Sequence, residues 1–378
     1  MKVLIIARGY ADTLNLVGVF ELDQAKALKE AGCDVRIIAF DSRSIKHIRK
    51  WGCIVKEING IKVYVCSFQC RLLSILTKGE ILKKIYYHIF LKATKDDWIP
   101  DIIHAHFGIN GFNALTIKEK LPKSKFVITE HFSGMNTLNP KTNIIVRSLS
   151  AYISADALIA VSTCLAKNLK FSTSLDFMVI PNMLDELFCT NIVYPKKKNV
   201  CGTIRLVSVG NLIPVKQFPL LVRIVGKLKH NVQLDIFGEG AERGSIEKEI
   251  IKNNLSDSIK LHGRVGRELL FQYYKSANAF ILLSKSETFG VSFIEAMGVG
   301  LPVVSLECGG TDDFITNKTG VVIKSQDEKI ITEEVDQFLN KLDTYDSKSI
   351  ADYVKSNYSS TVVANRLLNL YKHVLKQK

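Results

Sequence analysis

Short apolar runs alternate with helix-periodic stretches from one end of the chain to the other. Strands are expected at Lys2 to Ala7, Asp34 to Phe40, Ile61 to Cys66, Ile102 to His106, Phe126 to Glu130, Ala157 to Val161 and Met178 to Ile180. A second series follows at Leu206 to Val209, Leu234 to Phe237, Ile259 to Leu261, Phe280 to Leu283, Val303 to Leu306 and Val321 to Ile323. The runs are continuous rather than alternating, as in parallel strands covered on both faces. Strand and helix in succession point to an α/β protein of doubly wound parallel sheets rather than an all-α or all-β plan. Between the two series, residues 191–203 interrupt the rhythm with Pro195, three successive lysines (Lys196, Lys197, Lys198) and Gly202. The expected organisation is a domain of residues 1–190, a linker of 191–203, a domain of 204–358, and a terminal segment of 359–378 that reads as a helix from Ser360 to Lys376.

Open parallel sheets bind ligands beyond the C-terminal ends of their strands. In the first series those ends carry Arg8, His106-Phe107-Gly108, Glu130-His131 and Asn182. In the second they carry Gly210-Asn211, Gly238-Glu239-Gly240, Gly263-Arg264-Val265, Glu287 and Cys308-Gly309-Gly310. The richest end is Ser286 to Glu295, where Glu287 and Glu295 flank a Gly290 turn between an apolar strand and a helix. Amides of Phe289, Gly290 and Val291 would lie at or near the first helical turn, where unsatisfied N–H groups and the helix dipole attract phosphate. One loop thus offers carboxylates to sugar hydroxyls and amides to phosphate. Two glutamates at this spacing also fit a solvated helix face; the strand before them and the glycine turn set this pair apart.

With 378 residues, 47% of them hydrophobic, the chain can build more than one core. The net charge of +14 is uneven: residues 1–200 hold 28 basic and 17 acidic side chains, and the rest 23 and 20. Such asymmetry speaks for an acidic nucleic acid, an anionic membrane surface or a phosphate-bearing acceptor. Lys83 to Lys92 mixes basic and aromatic residues, and fits a membrane-docking amphipathic helix as well as a domain helix with a basic solvent face. No run reaches the ~18 to 20 apolar residues of a spanning helix, and Met1 to Ala7 is too short for a secretory signal. The eight cysteines contain no C-x-x-C pair. Cys66 and Cys70 are the closest, so neither a zinc spacing nor a disulfide framework is expected, and a reducing cytoplasm fits. Gly238 to Gly244 has G-x-G-x-x-x-G spacing, which suits a tight turn better than a nicotinamide site. His104 is expected on the opposite face from His106, and no third ligand completes a metal site with either.

The Glu287 to Glu295 segment resembles the E-x(7)-E signature of retaining glycosyltransferases of the GT-B fold, family four (glycosyl transferases group 1), which builds polysaccharides and glycolipids. The resemblance runs through GVFELDQAKAL, DIIHAHFG, VITEHFSG, ADALIAVST, VIPNMLD, VSVGNLIPVKQ, LDIFGEGAERG, LHGRV and ECGGTDDF, in the family's order. It implies two Rossmann-like domains facing an interdomain cleft, with the acceptor on the first, the nucleotide sugar on the second, and the last helix crossing back to the first. Catalytic roles would fall on Glu287, which holds donor-sugar hydroxyls, on Lys216, which meets the diphosphate, and on His131, which approaches sugar and acceptor. Glu295 would hold the ribose. The remaining donor contacts implied are Gly290, Phe289, Thr288, Val291, Asn211 and Gly210, together with Val265, Gly238 and Gly18; no metal and no cofactor are implied.

Two departures stand out. Asn211 occupies a position where the family usually has Arg, and an amide cannot replace a guanidinium fork without loss of charge, which leaves Arg8 or Arg264 to assist. Gln217 replaces a common Gly. The resemblance implies a metal-independent retaining hexosyltransferase that would move a sugar from a nucleoside diphosphate sugar (UDP- or GDP-sugar) to a saccharide or lipid-linked saccharide. The setting implied is lipopolysaccharide or exopolysaccharide synthesis in the cytoplasm, at the inner face of the plasma membrane, with peripheral contact to anionic lipid and no nucleic acid. A nucleotide-sugar epimerase of the same fold would need an acid–base cluster that the strand ends do not show. A noncatalytic sugar- or nucleic-acid-binding subunit would explain the charge and Asn211, but not the presence of Glu287, Lys216 and Glu295 together.

Overall fold

A computed structural model describes residues 1–8, 19–41, 52–67, 76–77, 79–137, 142–190 and 202–377. The chain forms two compact units, Met1–Met183 with Ser360–Lys378, and Leu184–Ser359. Among the described residues, no helix is long and apolar enough to cross a membrane.

Unit 1 is built on strands β1 (Lys2–Ala7), β2 (Asp34–Asp41), β3 (Gly52–Ile58), β4 (Ile61–Ser67), β5 (Ile102–His106), β6 (Lys125–Glu130), β7 (Ala157–Ala160) and β8 (Met178–Val179). They form one sheet in the order β3-β4-β2-β1-β5-β6-β7-β8, parallel except for β3. The central run Val3 to Ala7 has no exposed surface, which is why it reads as unbroken apolar sequence. On one face the helix Val19–Glu30 packs Leu22, Ala25 and Leu28 into a cluster with Val363, Leu367, Leu370, Tyr371 and Val374 of the helix Ser360–Lys376. The end of the chain is thus part of unit 1's core.

Strand β3 was not expected from the sequence. It is an edge strand, with Ile54 and Val55 about half exposed, so its apolar content is diluted by Lys56 and Glu57. A two-residue turn at Asn59 and Gly60, both at positive φ, joins it to β4. Cys53 and Cys66 stand directly opposite in this register and are joined as a disulfide. This single pair was not expected, since the cysteine spacing offered no disulfide framework. Cys70 lies outside the described residues.

Unit 2 contains β9 (Ile204–Val209), β10 (Val232–Phe237), β11 (Ile259–Gly263), β12 (Ala279–Leu282), β13 (Val303–Leu306) and β14 (Gly320–Ile323) in the order β11-β10-β9-β12-β13-β14, all parallel. Residues 184–190 belong to this unit. Leu184 N–H donates to Tyr358 O at 2.7 Å, and Phe188 packs edge-on to Phe271 and Tyr274. The division therefore falls at Met183/Leu184, upstream of the 190/191 boundary expected; residues 191–201 lie outside the described residues. Both units are doubly wound α/β sheets, and in each the strand order reverses once near the middle, between β1 and β5 and between β9 and β12.

Candidate active site

In unit 2 the parallel strands bring their C-terminal ends to one edge of the sheet, and the reversal at β9/β12 sets Lys216 beside Glu287. A 3-10 turn, Pro214–Lys216, follows β9. Lys285 N–H donates to Val215 O at 2.8 Å and ties this turn to the segment after β12. Lys216 Nζ then reaches Glu287 Oε1 at 2.5 Å, with both side chains mostly buried. Ser284 Oγ donates to the same carboxylate oxygen at 2.7 Å. The neighbouring loop clasps Glu287 by its backbone: Glu287 N–H donates to Cys308 O at 2.9 Å, and Gly310 N–H donates to Glu287 O at 3.0 Å. An ammonium and a carboxylate are thus fixed at a strand mouth before any ligand arrives.

Gly290, at φ 95°, caps the helix Val291–Gly298 without any side-chain hydrogen bond, so the first amides of that helix are not claimed by a cap. Phe289 contributes backbone only, because its ring is buried against Phe314 and Tyr358. Thr288 and Val291 are half-buried beside the turn. Glu295, on the inner face of the helix and 7% exposed, lies 3.8 Å from Arg267 Nε, and Arg267 also pairs with Asp185. Gly210 and Gly238 touch at adjacent strand ends: a Cβ at Gly238 would fall 1.8 Å from Gly210 O, so only glycine permits the approach. Asn211 and Arg264 are exposed, and Val265 is half-buried after β11. Gln217 sits at φ 52° just before the helix Phe218–Val225, a left-handed conformation that costs a non-glycine residue about 1 to 2 kcal/mol. That geometry accounts for a common Gly here.

In unit 1, His131 follows β6 and is 8% exposed. Its ring lies between Phe20 and His106, at centroid distances of 5.3 and 5.1 Å. His104 stacks on His106 at 4.8 Å, so the two side chains share a face. This corrects the expectation that they point apart: residues two apart on a strand lie on the same side. Gly18 lies outside the described residues.

Glu130, which the sequence did not single out for a role, organises this end of the sheet. Its Oε1 accepts from the amides of His131 (2.8 Å) and Phe132 (2.7 Å). Its Oε2 accepts from Gly108 N–H (2.8 Å) and Tyr152 O–H (2.5 Å). Burial raises its pKa, while these donors pull it back. Phe107, held at φ 72° between β5 and the helix beginning at Gly108, stores strain that the Glu130 bonds offset. A pocket of about 250 Å3 opens here, lined by Arg8, Phe107, Gly108, Ile109, Glu130, Phe132 and Ser148. Arg8 lies over the Phe107 ring at 5.6 Å.

Glu21 is fully buried, and burial lifts its pKa to about 7. Its Oε1 accepts from Arg8 N–H, and its Oε2 has no partner among the described residues. A carboxyl raised in this way favours folding while protonated and loses that contribution as pH climbs from its unfolded value, 4.5, through about 7. Glu21→Gln should therefore leave stability nearly unchanged at pH 4.5 and raise it at pH 8 by on the order of 3 kcal/mol. Urea unfolding at the two pH values tests this, and an equal effect at both would contradict it.

Residues 17–186 match the family described as Glycosyltransferase Family 4, and residues 194–356 match the family described as Glycosyl transferases group 1. A phosphatidylinositol N-acetylglucosaminyltransferase GPI3 subunit of Saccharomyces cerevisiae is 25% identical over 284 residues, 71% of this chain and 61% of that protein. The chain therefore spans under two thirds of that relative's length. The putative teichuronic acid biosynthesis glycosyltransferase TuaC of Bacillus subtilis is 23% identical over 356 residues, 89% of each chain. Among solved structures, a sucrose-phosphate synthase of Thermosynechococcus elongatus superposes with a TM-score of 0.80 at 19% identity, covering all of both chains. Anabaena Alr3699/HepE in complex with UDP and glucose superposes with a TM-score of 0.72 at 15% identity, covering 99% of this chain and 100% of that one. With the two family matches covering most of its length on two doubly wound units, the chain belongs to the group 1 glycosyltransferases of the GT-B fold.

Proposed function

We propose that the protein transfers a sugar, with retention and without a metal ion, from a UDP-sugar to a saccharide or lipid-linked saccharide in cell-surface polysaccharide or glycolipid synthesis. The observation that carries this is the Lys216–Glu287 pair beside the uncapped helix at Gly290. A diphosphate, more highly charged than a carboxylate, would compete for Lys216 and lie against the first amides of that helix. Glu287, still held by Ser284 and the Cys308–Gly310 loop, would then take the sugar hydroxyls. Positive charge from Lys216 grows in value as the leaving diphosphate gains charge, which is where catalysis needs it. Glu295 anchors the ribose, His131 contacts the sugar, and the diphosphate oxygen itself takes the acceptor's proton. UDP is preferred to GDP on the strength of the relative that holds UDP and glucose.

Isothermal titration of the whole chain with UDP and with GDP, in EDTA, tests the donor assignment. UDP should bind more tightly than GDP, and Glu295→Ala should weaken UDP by about 1 to 3 kcal/mol, the cost of a charged hydrogen bond. If neither nucleotide binds until magnesium or manganese is added, the metal-free assignment is wrong.

Membrane contact belongs to the same proposal and rests on the charge surplus of residues 1–200. The helix Glu80–Ala93 contributes less to it than its sequence suggests. Lys83 is pinned 3.0 Å from Glu80 and 4.2 Å over the Phe112 ring, and the outward positions are Glu80, Lys84, His88 and Leu91. Binding to vesicles rich in anionic lipid should fall steeply with salt; salt-independent binding would remove this part of the proposal.

A further inference from the structure

His104, His106 and His131 form one row of near-parallel rings, with interplanar angles of 21° and 14° between successive rings. None is more than 8% exposed, and burial holds all three far below their usual pKa. Each ring is neutral and carries one N–H and one bare nitrogen. His104 is fully accounted for. Its Nδ1 lies 3.0 Å from Gln24 Nε2, which can only donate, so that nitrogen is the bare one, its single lone pair shared with Tyr371 O–H at 2.5 Å, and the ring's hydrogen sits on Nε2 beside Thr129 Oγ1 at 2.7 Å.

The other two rings share a single bond, His106 Nδ1 to His131 Nε2, at 2.9 Å. Among the described residues His106 Nε2 is buried without a hydrogen-bond partner, whereas the Asn182 side chain engages the His131 ring as a hydrogen bond that raises its pKa. One hydrogen lies in the shared bond, so the two tautomers are coupled. If it belongs to His106, then His131 carries its hydrogen on Nδ1; if it belongs to His131, then Nδ1 is bare and His106 carries an N–H on Nε2. His106 is the deeper ring, 1% exposed against 8% for His131. An N–H on His106 Nε2 would have no acceptor among the described residues, whereas one on His131 Nδ1 has the Asn182 amide oxygen to receive it. The hydrogen therefore belongs on His106 Nδ1.

We propose that His106 is a positioning residue that fixes His131 as the Nδ1–H tautomer, making His131 a hydrogen-bond donor to a substrate oxygen rather than a base. The inference rests on the assignment of His131 to the sugar in the proposed function, and deepens it by fixing the sign of that contact.

Long-range proton–nitrogen correlation on the full-length chain labelled with 15N-histidine reads the tautomer directly, with the His131 signals identified by their loss in His131→Gln. The expected spectrum has hydrogen on Nδ1 and a bare Nε2. His106→Phe keeps a ring in the row and removes the donor. It should release His131 into mixed tautomers and lower kcat about tenfold, the size of one net hydrogen bond, with KM little changed. Activity is read as UDP released from whichever of UDP-glucose, UDP-galactose and UDP-N-acetylglucosamine the parent turns over fastest. His106→Gln, whose amide can donate to His131 Nε2, should restore both tautomer and rate. A parent spectrum with hydrogen on Nε2 overturns the proposal, as does a His106→Phe protein with unchanged tautomer and rate. If His106→Phe does not fold, the parent spectrum decides alone. Full activity in His131→Gln would overturn the substrate contact, while the tautomer, measured without substrate, would be judged separately.

Discussion

Glu287→Gln should lower sugar transfer by at least about a hundredfold while leaving the affinity for free UDP nearly intact. The substitution preserves shape, and the Gln Oε1 can still accept from Ser284, so the loop keeps its form. What disappears is the negative charge that holds Lys216 at 2.5 Å and that, in the proposed function, receives the sugar hydroxyls. Released from its partner, Lys216 is at least as available to a diphosphate as before, so UDP should bind no worse. The corresponding loss should appear only with the sugar attached. Titrating UDP and a UDP-sugar into parent and variant separates the two, and an equal loss for both would move Glu287 away from the sugar.

Gly310→Ala should cost both stability, by roughly 2 to 4 kcal/mol, and nearly all activity. A Cβ there would lie 2.5 Å from Phe289 N, 2.6 Å from Thr288 C and 2.7 Å from Glu287 O. All three are backbone atoms, so no side-chain rotation relieves the contact. The clasp formed by Glu287 N–H to Cys308 O and Gly310 N–H to Glu287 O would have to open, carrying Glu287 and the Gly290 turn with it. Gly244→Ala is the control, since a Cβ there meets nothing within 4 Å in the helix Arg243–Lys252. Urea unfolding and UDP release, measured on both, decide the matter. A Gly310→Ala protein with the parent's stability and rate would show that the clasp does not hold the site.

Much of this fold can be read from periodicity because its strands are buried on both faces. β1, β5 and β13 fall on the residues expected, and the other expected strands agree within one or two. β3 escaped because an exposed edge strand loses that signature. Its signal lay in the turn, Asn59-Gly60 between β-forming residues, rather than in the run itself. The histidine faces were misplaced by an error of parity that the stacking of His104 on His106 exposes.

The arrangement of the site was legible where it followed from a strand end, as for the placing of Glu287, Lys216 and His131. It was not legible where a role depends on a neighbour distant in sequence. Ser284 and Gly310 act through Glu287, Arg267 lies beside Glu295, and Glu130 gathers amides from two loops with a hydroxyl from a third element. Such roles need the sheet order, which spacing along the chain does not contain. Gly310 was at least marked by the Gly309-Gly310 pair, since adjacent glycines at a strand end announce a close backbone approach.

The most direct test of the account is a proton-NMR time course of the full-length chain with α-linked UDP-sugars in the presence of EDTA, following UDP and the configuration of the released sugar. UDP should appear together with the α-anomer first, at the same rate with and without EDTA, and Glu287→Gln should show neither. Release of the β-anomer first, or turnover that appears only when a divalent metal is restored, would contradict the account.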